Sequence, residues 1–496
     1  MEALLTLAED AAVIGYVLPD VASIELGSTR SIVNIVEGIR LKRGTYVTLG
    51  GDPLEFFVGE VIDGPYYVDE GEGLKTRYVV DLSASVRGGV PAVVLTRPLP
   101  GTPVKVMDPR AVQAFIGAVG DMRLGRLPTQ EEVEVGLDTS TMTRHLGIFG
   151  TTGSGKSNTI QVVVEEASRN GFSILIFDVE GEYVFMDKPT DRLLELLRSF
   201  GEKPEGLGNL KVYVPAPSTS RRRDAARFSI SFQEADKDLF SEVAGLTRME
   251  QLYFLDLIEK VEQVAPAFRR VSLDAVIERL KKRLEAQADN PTMPEFIAEA
   301  HTSLYSKLML IKHLGLVDVD VPVLKPEELL KAGQATVVDF SDADDYVRNL
   351  VIANLLDAIF KYKMENIETP NLLIVIEEAH TFISRYKRDR MLATLMMLVE
   401  LARRGRKRGI CLGFVTQQPA HLPSEILELC NTRIIHRMSS TANIHVLKES
   451  TGNVPDPLWD MLPSLGRGEA LVSSPRYTRA VTVKVRPVKS MRIAIE

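Results

Sequence analysis

Apolar residues along this chain change their spacing several times, and each change marks a different kind of element. The runs Tyr46-Val47-Thr48-Leu49, Phe56 to Val61, Tyr78 to Leu82 and Ala92 to Leu95 are β-branched or aromatic, which predicts short strands. Gly50-Gly51-Asp52-Pro53, Gly71-Glu72-Gly73 and Pro98-Leu99-Pro100-Gly101 separate them with turn chemistry. Closely spaced short strands predict a small barrel over residues 1–110, followed by a connector over 111–144. From His145 the pattern alternates: a buried strand at Leu146 to Phe149, a helix from Ser157, and a second strand at Ser173 to Phe177 that ends at Asp178. Alternation of this kind implies parallel pairing, because parallel strands need a crossover. Residues 230–332 are instead rich in Leu, Glu, Lys and Ala at helical spacing, as at Leu252, Leu255, Leu257 and Ile258, and predict a helical insertion. It divides an α/β core into 145–229 and 333–465, the second part carrying strands at Thr336 to Phe340, Leu372 to Ile376, Ile410 to Val415 and Ile434-Ile435. The final segment, 466–496, reads as β-like at Glu469 to Val472 and Ala480 to Pro487.

A chain of 496 residues is too long for one core, and about 150 residues per domain suggests about three units. Apolar residues at 45% and charged residues at 25% exclude long-range disorder. With 59 basic and 67 acidic residues the net charge is −8, so any nucleic-acid contact needs a local basic surface. Two cysteines, Cys411 and Cys430, exclude a disulfide scaffold or a four-cysteine zinc site. No stretch reaches the ~18 apolar residues of a membrane span, and the acidic Met1 to Asp10 lacks the pattern of a secretory signal. The expected location is the cytoplasm, with no membrane partner.

The sharpest chemical signal is Gly150-Thr151-Thr152-Gly153-Ser154-Gly155-Lys156-Ser157, followed by Asn158. It fits the phosphate-loop pattern G-x-x-x-x-G-K-[ST] between a predicted strand and helix. Glycines let the backbone curl until its N–H groups face phosphates, and the helix N-terminus adds partial positive charge. Lys156 is expected to neutralise the β and γ phosphates and Ser157 to hold Mg²⁺, so ATP and Mg²⁺ are the expected cofactors. The apolar run Leu372 to Ile376 ends in Glu377-Glu378, which predicts Glu377 on the metal side and Glu378 activating water. Asp178, with Glu180 and Glu182 nearby, is a further candidate for water or metal positioning. Gln417, after the strand ending in Thr416, is placed to sense the γ-phosphate. Arg403 or Arg406 is the candidate for a finger reaching a neighbouring subunit's site. His380 has no companion ligands and reads as structural or coupling rather than metal-binding. For DNA contact the candidates are Arg385, Lys387 and Arg388, with Arg221, Arg222 and Arg223 as the rival site.

Three stretches together resemble the HerA family of DNA-translocating ATPases in the HerA–FtsK group: His145 through the phosphate loop to Asn158-Thr159, Asp178-Val-Glu-Gly-Glu-Tyr183, and Ile376-Glu-Glu-Ala-His380. The stretch Ala402-Arg-Arg-Gly-Arg406 through Thr416-Gln-Gln-Pro419 is similar to FtsK motors. The resemblance implies an α/β, RecA-like P-loop ATPase core with an N-terminal β-barrel (HAS-barrel-like) domain and a helical insertion. It further implies an ATP hydrolase in a homo-hexameric ring, double-stranded DNA in the channel, and a NurA-type nuclease partner in DNA-end resection and double-strand break repair. Carried over residue by residue, Lys156 and Ser157 match the phosphate loop, Glu378 the catalytic glutamate, Gln417 the sensor and Arg403 the finger. The family's usual aspartate is Glu377 here, and Arg404 stands where a glutamate is common. The alternative reading is a protein-remodelling or secretion-type ring ATPase.

Overall fold

The computed structural model describes residues 11–19, 29–52, 54–69, 74–264, 271–288, 294–383, 392–452 and 454–493. Two compact units form. One draws on the chain up to Thr141 together with Ile435–Arg437 and Thr451–Arg486; the other on Met142–Ile434, Met438–Ser450 and the chain from Pro487.

The first unit begins with β1 (Val13–Val17), β2 (Arg30–Ile35), β3 (Tyr46–Asp52), β4 (Glu55–Asp69), β5 (Leu74–Arg87), β6 (Val90–Ala92) and β7 (Pro103–Val106). Their order is β2-β1-β7-β3-β4-β5-β6, and an added β2–β5 pairing closes six of them into an antiparallel barrel. Closure leaves no free sheet edge among those six. Period-two alternation explains the filling: Val33 and Ile35, Val47 and Leu49, and Tyr78, Val80 and Leu82 all turn into one core. The strand expected at Ala92 to Leu95 lies instead at Val90–Ala92. Val93 and Leu95 are exposed, so β-branched composition without a face to bury against made no strand there.

Residues 111–144, expected as a connector, hold most of the helix Pro109–Ile116 and the strands β8 (Met122–Arg126) and β9 (Glu134–Leu137). Asp108 caps that helix, and Gly117, at φ 71°, ends it in the left-handed region. The hairpin strands Glu469–Ser473 and Val481–Val485 bond to each other, and the second pairs antiparallel with β8. The expected single C-terminal segment, 466–496, is therefore divided at Arg486 between the two units. Hydrogen bonding fits that division: among the described residues the hairpin pairs the second edge of β8.

The second unit carries β10 (Leu146–Phe149), β11 (Ser173–Asp178), β12 (Leu210–Pro215), β13 (Ala226–Phe228), β14 (Ala335–Asp339), β15 (Leu372–Ile376) and β16 (Ile410–Thr416). They pair in parallel in the order β13-β12-β14-β11-β15-β16-β10. β10, β11, β14, β15 and β16 are buried along their whole length, which suits their continuous apolar runs. The insertion is helical as expected, with long helices at Arg248–Val264, Leu273–Ala288 and Glu295–His313. Its two ends meet at bridges between Ile230 and Val317 and between Ser229 and Val323.

Candidate functional site

Register creates the site. Phe149 lies beside Thr416 and Phe177 beside Ile376 in the parallel sheet. The residues that follow these positions must therefore emerge together at the carboxyl ends of the strands, where open α/β sheets bind ligands. Thus Gly150 emerges beside Gln417, and Asp178 beside Glu377.

The phosphate loop follows β10, and the helix Lys156–Arg169 starts directly after Gly155. Gly153 and Gly155 have φ of 73° and 124°, values that L side chains rarely adopt. A Cβ on Gly153 would meet nothing within 4 Å, so backbone conformation alone demands glycine there. Ser154 Oγ donates to the Thr151 carbonyl at 2.7 Å and Lys156 Nζ to the same oxygen at 3.1 Å, drawing the lysine back over its own loop. Burial holds the Lys156 ammonium below the ordinary lysine range, while the carboxylates of Glu378, Glu377 and Glu182 pull the other way. Thr152 Oγ1 donates to Gln417 Oε1 at 2.7 Å, which ties the end of β16 to the loop.

Glu377 is buried, and its Oε1 accepts the Tyr183 hydroxyl at 2.6 Å. Burial pushes its carboxyl well above the usual range, and the neighbouring charges of Asp178 and Glu182 add to the shift. Glu378 holds a left-handed backbone at φ 45°, an uncommon state for a residue with a Cβ. Its Oε2 lies 3.2 Å from His380 Nδ1, and that nitrogen lies 3.0 Å from Thr416 Oγ1. Thr416 Oγ1 in turn accepts the Gln418 N–H at 3.0 Å. His380 thus stands between the end of β15 and the end of β16.

The other expected residues are engaged by neighbours, exposed, or outside the described residues. Both oxygens of Asp178 are engaged by the backbone N–H groups of Gly181, Glu182 and Tyr183 at 2.8, 3.1 and 2.9 Å. This aspartate holds a turn, and burial pushes it up to about 7. Asn158, expected at the nucleotide, accepts the Val488 N–H through its side-chain oxygen. Arg222, expected as a DNA contact, is instead clamped: it donates to Asp187 at 2.7 Å, Asp224 at 3.0 Å and the Val184 carbonyl at 2.9 Å. Arg221 and Arg223 are exposed. Arg385, Lys387 and Arg388 lie outside the described residues. Arg403 and Arg406 are exposed, whereas Arg404 pairs with Glu400 and lies over the Phe360 ring. Arg403 borders an open groove of about 480 Å³ lined by Leu392, Leu395, Met396, Val399 and Pro423 together with the charged Glu400, Arg404 and Glu425.

The turn that Asp178 holds brings in Tyr183, which was given no role from sequence, and Glu182, which was expected only as a neighbour of Asp178. Tyr183 reaches Glu377, and the Glu182 carboxylate accepts the Ser157 hydroxyl. Burial raises the Glu182 carboxyl, against the pull of Arg492 and Lys156. Gly181, at φ 71°, is a local signal of a chain reversal there. Among the described residues no three His, Cys, Asp or Glu side chains cluster as a metal cage. A small hard cation carried in on phosphates needs only one or two protein oxygens. Ser157 Oγ fits that need, and so does Glu377 Oε2, which is buried and accepts no hydrogen bond.

Residues 122–359 match the family model "Helicase HerA, central domain", and residues 349–487 match "Helicase HerA-like C-terminal". The chain is 27% identical over 383 residues to the DNA double-strand break repair helicase HerA of Sulfolobus acidocaldarius, covering 76% of this chain and 71% of that protein. It is 26% identical over 397 residues to the protein of the same name from Saccharolobus solfataricus, covering 78% and 73%. The solved structure of VirB4 of Thermoanaerobacter pseudethanolicus superposes with a TM-score of 0.50 at 16% identity, covering 74% of this chain and 96% of that one. At that identity the likeness concerns the fold alone.

Proposed function

The chain belongs to the HerA family, and on that premise we propose that it is a motor that moves along double-stranded DNA in end resection and break repair. It is an ATP-hydrolysing enzyme of the HerA type. The observation that carries the reading is the meeting of Lys156 and Ser157 with Glu377, Glu378 and Gln417 at the ends of three parallel strands. A mere nucleotide binder needs the loop but not the paired glutamates.

Lys156 binds the β and γ phosphates, and Glu378 orients the attacking water and takes up its proton. The strained Glu378 backbone and the His380 contact hold that carboxylate at the strand end. Ser157 and Glu377 would hold Mg²⁺, which would draw charge from the phosphate oxygens. Gln417 reads the γ-phosphate through a side chain already bonded to Thr152. Arg403 completes the site of a neighbouring copy in a homo-hexameric ring. Its exposure beside an open groove of mixed apolar and charged lining supports that role. The family setting also supports a NurA-type nuclease as partner and a cytoplasmic location. No helix among the described residues is long and apolar enough to cross a membrane.

ATP turnover measured with and without linear duplex DNA tests this reading. DNA-stimulated turnover is expected. Turnover indifferent to DNA would favour the protein-remodelling alternative, and negligible turnover would leave a switch.

A further inference from the structure

Residues 487–493 lie along the phosphate-loop helix. Glu165 and Gln161, on that helix, are buried polar residues that need partners. Glu165 Oε1 accepts the N–H groups of Lys489 and Ser490, both at 2.8 Å, and the Ser490 hydroxyl at 2.6 Å. The Gln161 amide donates to the Ser490 hydroxyl at 2.9 Å and its carbonyl at 3.1 Å. Asn158 accepts Val488 at 3.1 Å. On another flank Met491 N–H donates to Lys188 O at 2.8 Å and Ile493 N–H to Glu182 O at 3.2 Å. Backbone anchors on both sides thus fix where Arg492 stands.

Its Nε lies 3.7 Å from Glu182 Oε2, and the Glu182 carboxylate also accepts the Ser157 hydroxyl. With its proton given to Glu182, Ser157 Oγ keeps its lone pairs for a cation. The ammonium of Lys156 feels three carboxylates, Glu182, Glu377 and Glu378. Any of them that closes on Lys156 competes with incoming phosphates for the same charge.

We propose that Arg492 is a positioning residue for nucleotide binding: by pairing with Glu182 it keeps that carboxylate on Ser157 and off Lys156. The strap from 487 to 493 is then part of the nucleotide site, and anything that lifts it weakens binding. This rests on the nucleotide site proposed above.

The test is binding of a fluorescent ATP analogue with Mg²⁺, without turnover, to the full chain. Arg492→Ala should weaken binding about tenfold, the order of one lost charge interaction. Arg492→Lys, which keeps the charge and the strap, should retain most of the affinity. Arg492→Ala combined with Glu182→Gln should return to within about twofold of Glu182→Gln alone, because the competing charge is gone. A merely structural strap predicts no such rescue. Unchanged affinity in Arg492→Ala, or a double variant as weak as Arg492→Ala, would overturn the proposal. Lys156→Ala in parallel separates the failures: if wild type and Lys156→Ala bind alike, the nucleotide site itself is wrong.

Discussion

Thr152 of the phosphate loop donates a 2.7 Å hydrogen bond to Oε1 of Gln417, a residue 265 positions further along the chain. A short polar side chain and an amide thus connect the loop to the end of β16. An arriving γ-phosphate is an acceptor and would bond the Gln417 amide N–H while Thr152 holds its oxygen, so it extends the connection. Gln417→Ala is expected to lower turnover about tenfold or more while ATP affinity changes little, since the amide acts on the reacting group. Steady-state kinetics beside direct binding check it. A loss confined to affinity would make Gln417 a simple ligand.

Lys156 and Glu378 should fail in different ways. Lys156→Ala should weaken nucleotide binding about 10- to 100-fold, the range of a hydrogen bond to a charged group. Glu378→Gln should bind ATP and stall, with turnover down about 10²–10⁴-fold for lost proton transfer. Normal turnover in the Gln variant would mean that another carboxylate activates water.

Tyr183 is fully buried and its hydroxyl is a donor to the buried Glu377. Tyr183→Phe leaves Oε1 without that donor and should cost about 1–3 kcal/mol in urea unfolding. Turnover should fall too, because Glu377 loses its orientation. Stability equal to wild type would mean that water replaces the hydroxyl.

Asp178 gives a pH signature. Its ordinary value is 3.8, and burial first, then backbone bonds and Asp339, leave it at about 7 in the fold. Folding therefore takes up a proton between those values. The stabilising contribution is complete below the unfolded value and is lost as pH rises through about 7. Asp178→Asn should flatten the fall in urea midpoint between about pH 4 and about pH 7. An equally steep fall in the variant would assign the proton to another group.

The three arginines from 221 to 223 should separate. Arg222→Ala breaks ion pairs to Asp187 and Asp224 and should lower stability. Arg221 and Arg223 are exposed, and removing both should reduce the salt slope of DNA binding by about 0.9 log units per lost phosphate contact. If the slope holds, Arg385, Lys387 and Arg388 are the next variants to titrate.

The trans role of Arg403 is tested by mixing. Arg403→Ala subunits and Glu378→Gln subunits, each inactive alone, should recover part of their turnover in mixed rings. Failure in rings proven to be mixed would count against a shared site, where a finger is worth about 10³–10⁵ in rate.

What the sequence determined by itself is local. The glycines and Lys156-Ser157 announce a phosphate loop because a curled backbone needs φ values that only glycine adopts freely, and that need is readable residue by residue. Leu372 to Ile376 followed by Glu377-Glu378 is readable too, since a fully buried parallel strand must be apolar until it leaves the sheet. Tertiary structure decided the rest. Spacing could not show that Asp178 would turn its oxygens onto the next backbone loop, or that Arg222 would be clamped rather than presented. Nor could it bring Val488 to Asn158 across 330 residues, deliver Arg492 to Glu182, or divide the last segment at Arg486. Those outcomes depend on which strands lie adjacent and in what register, and on which buried polar atoms then lack partners. Such demands arise only when distant parts of the chain are packed together.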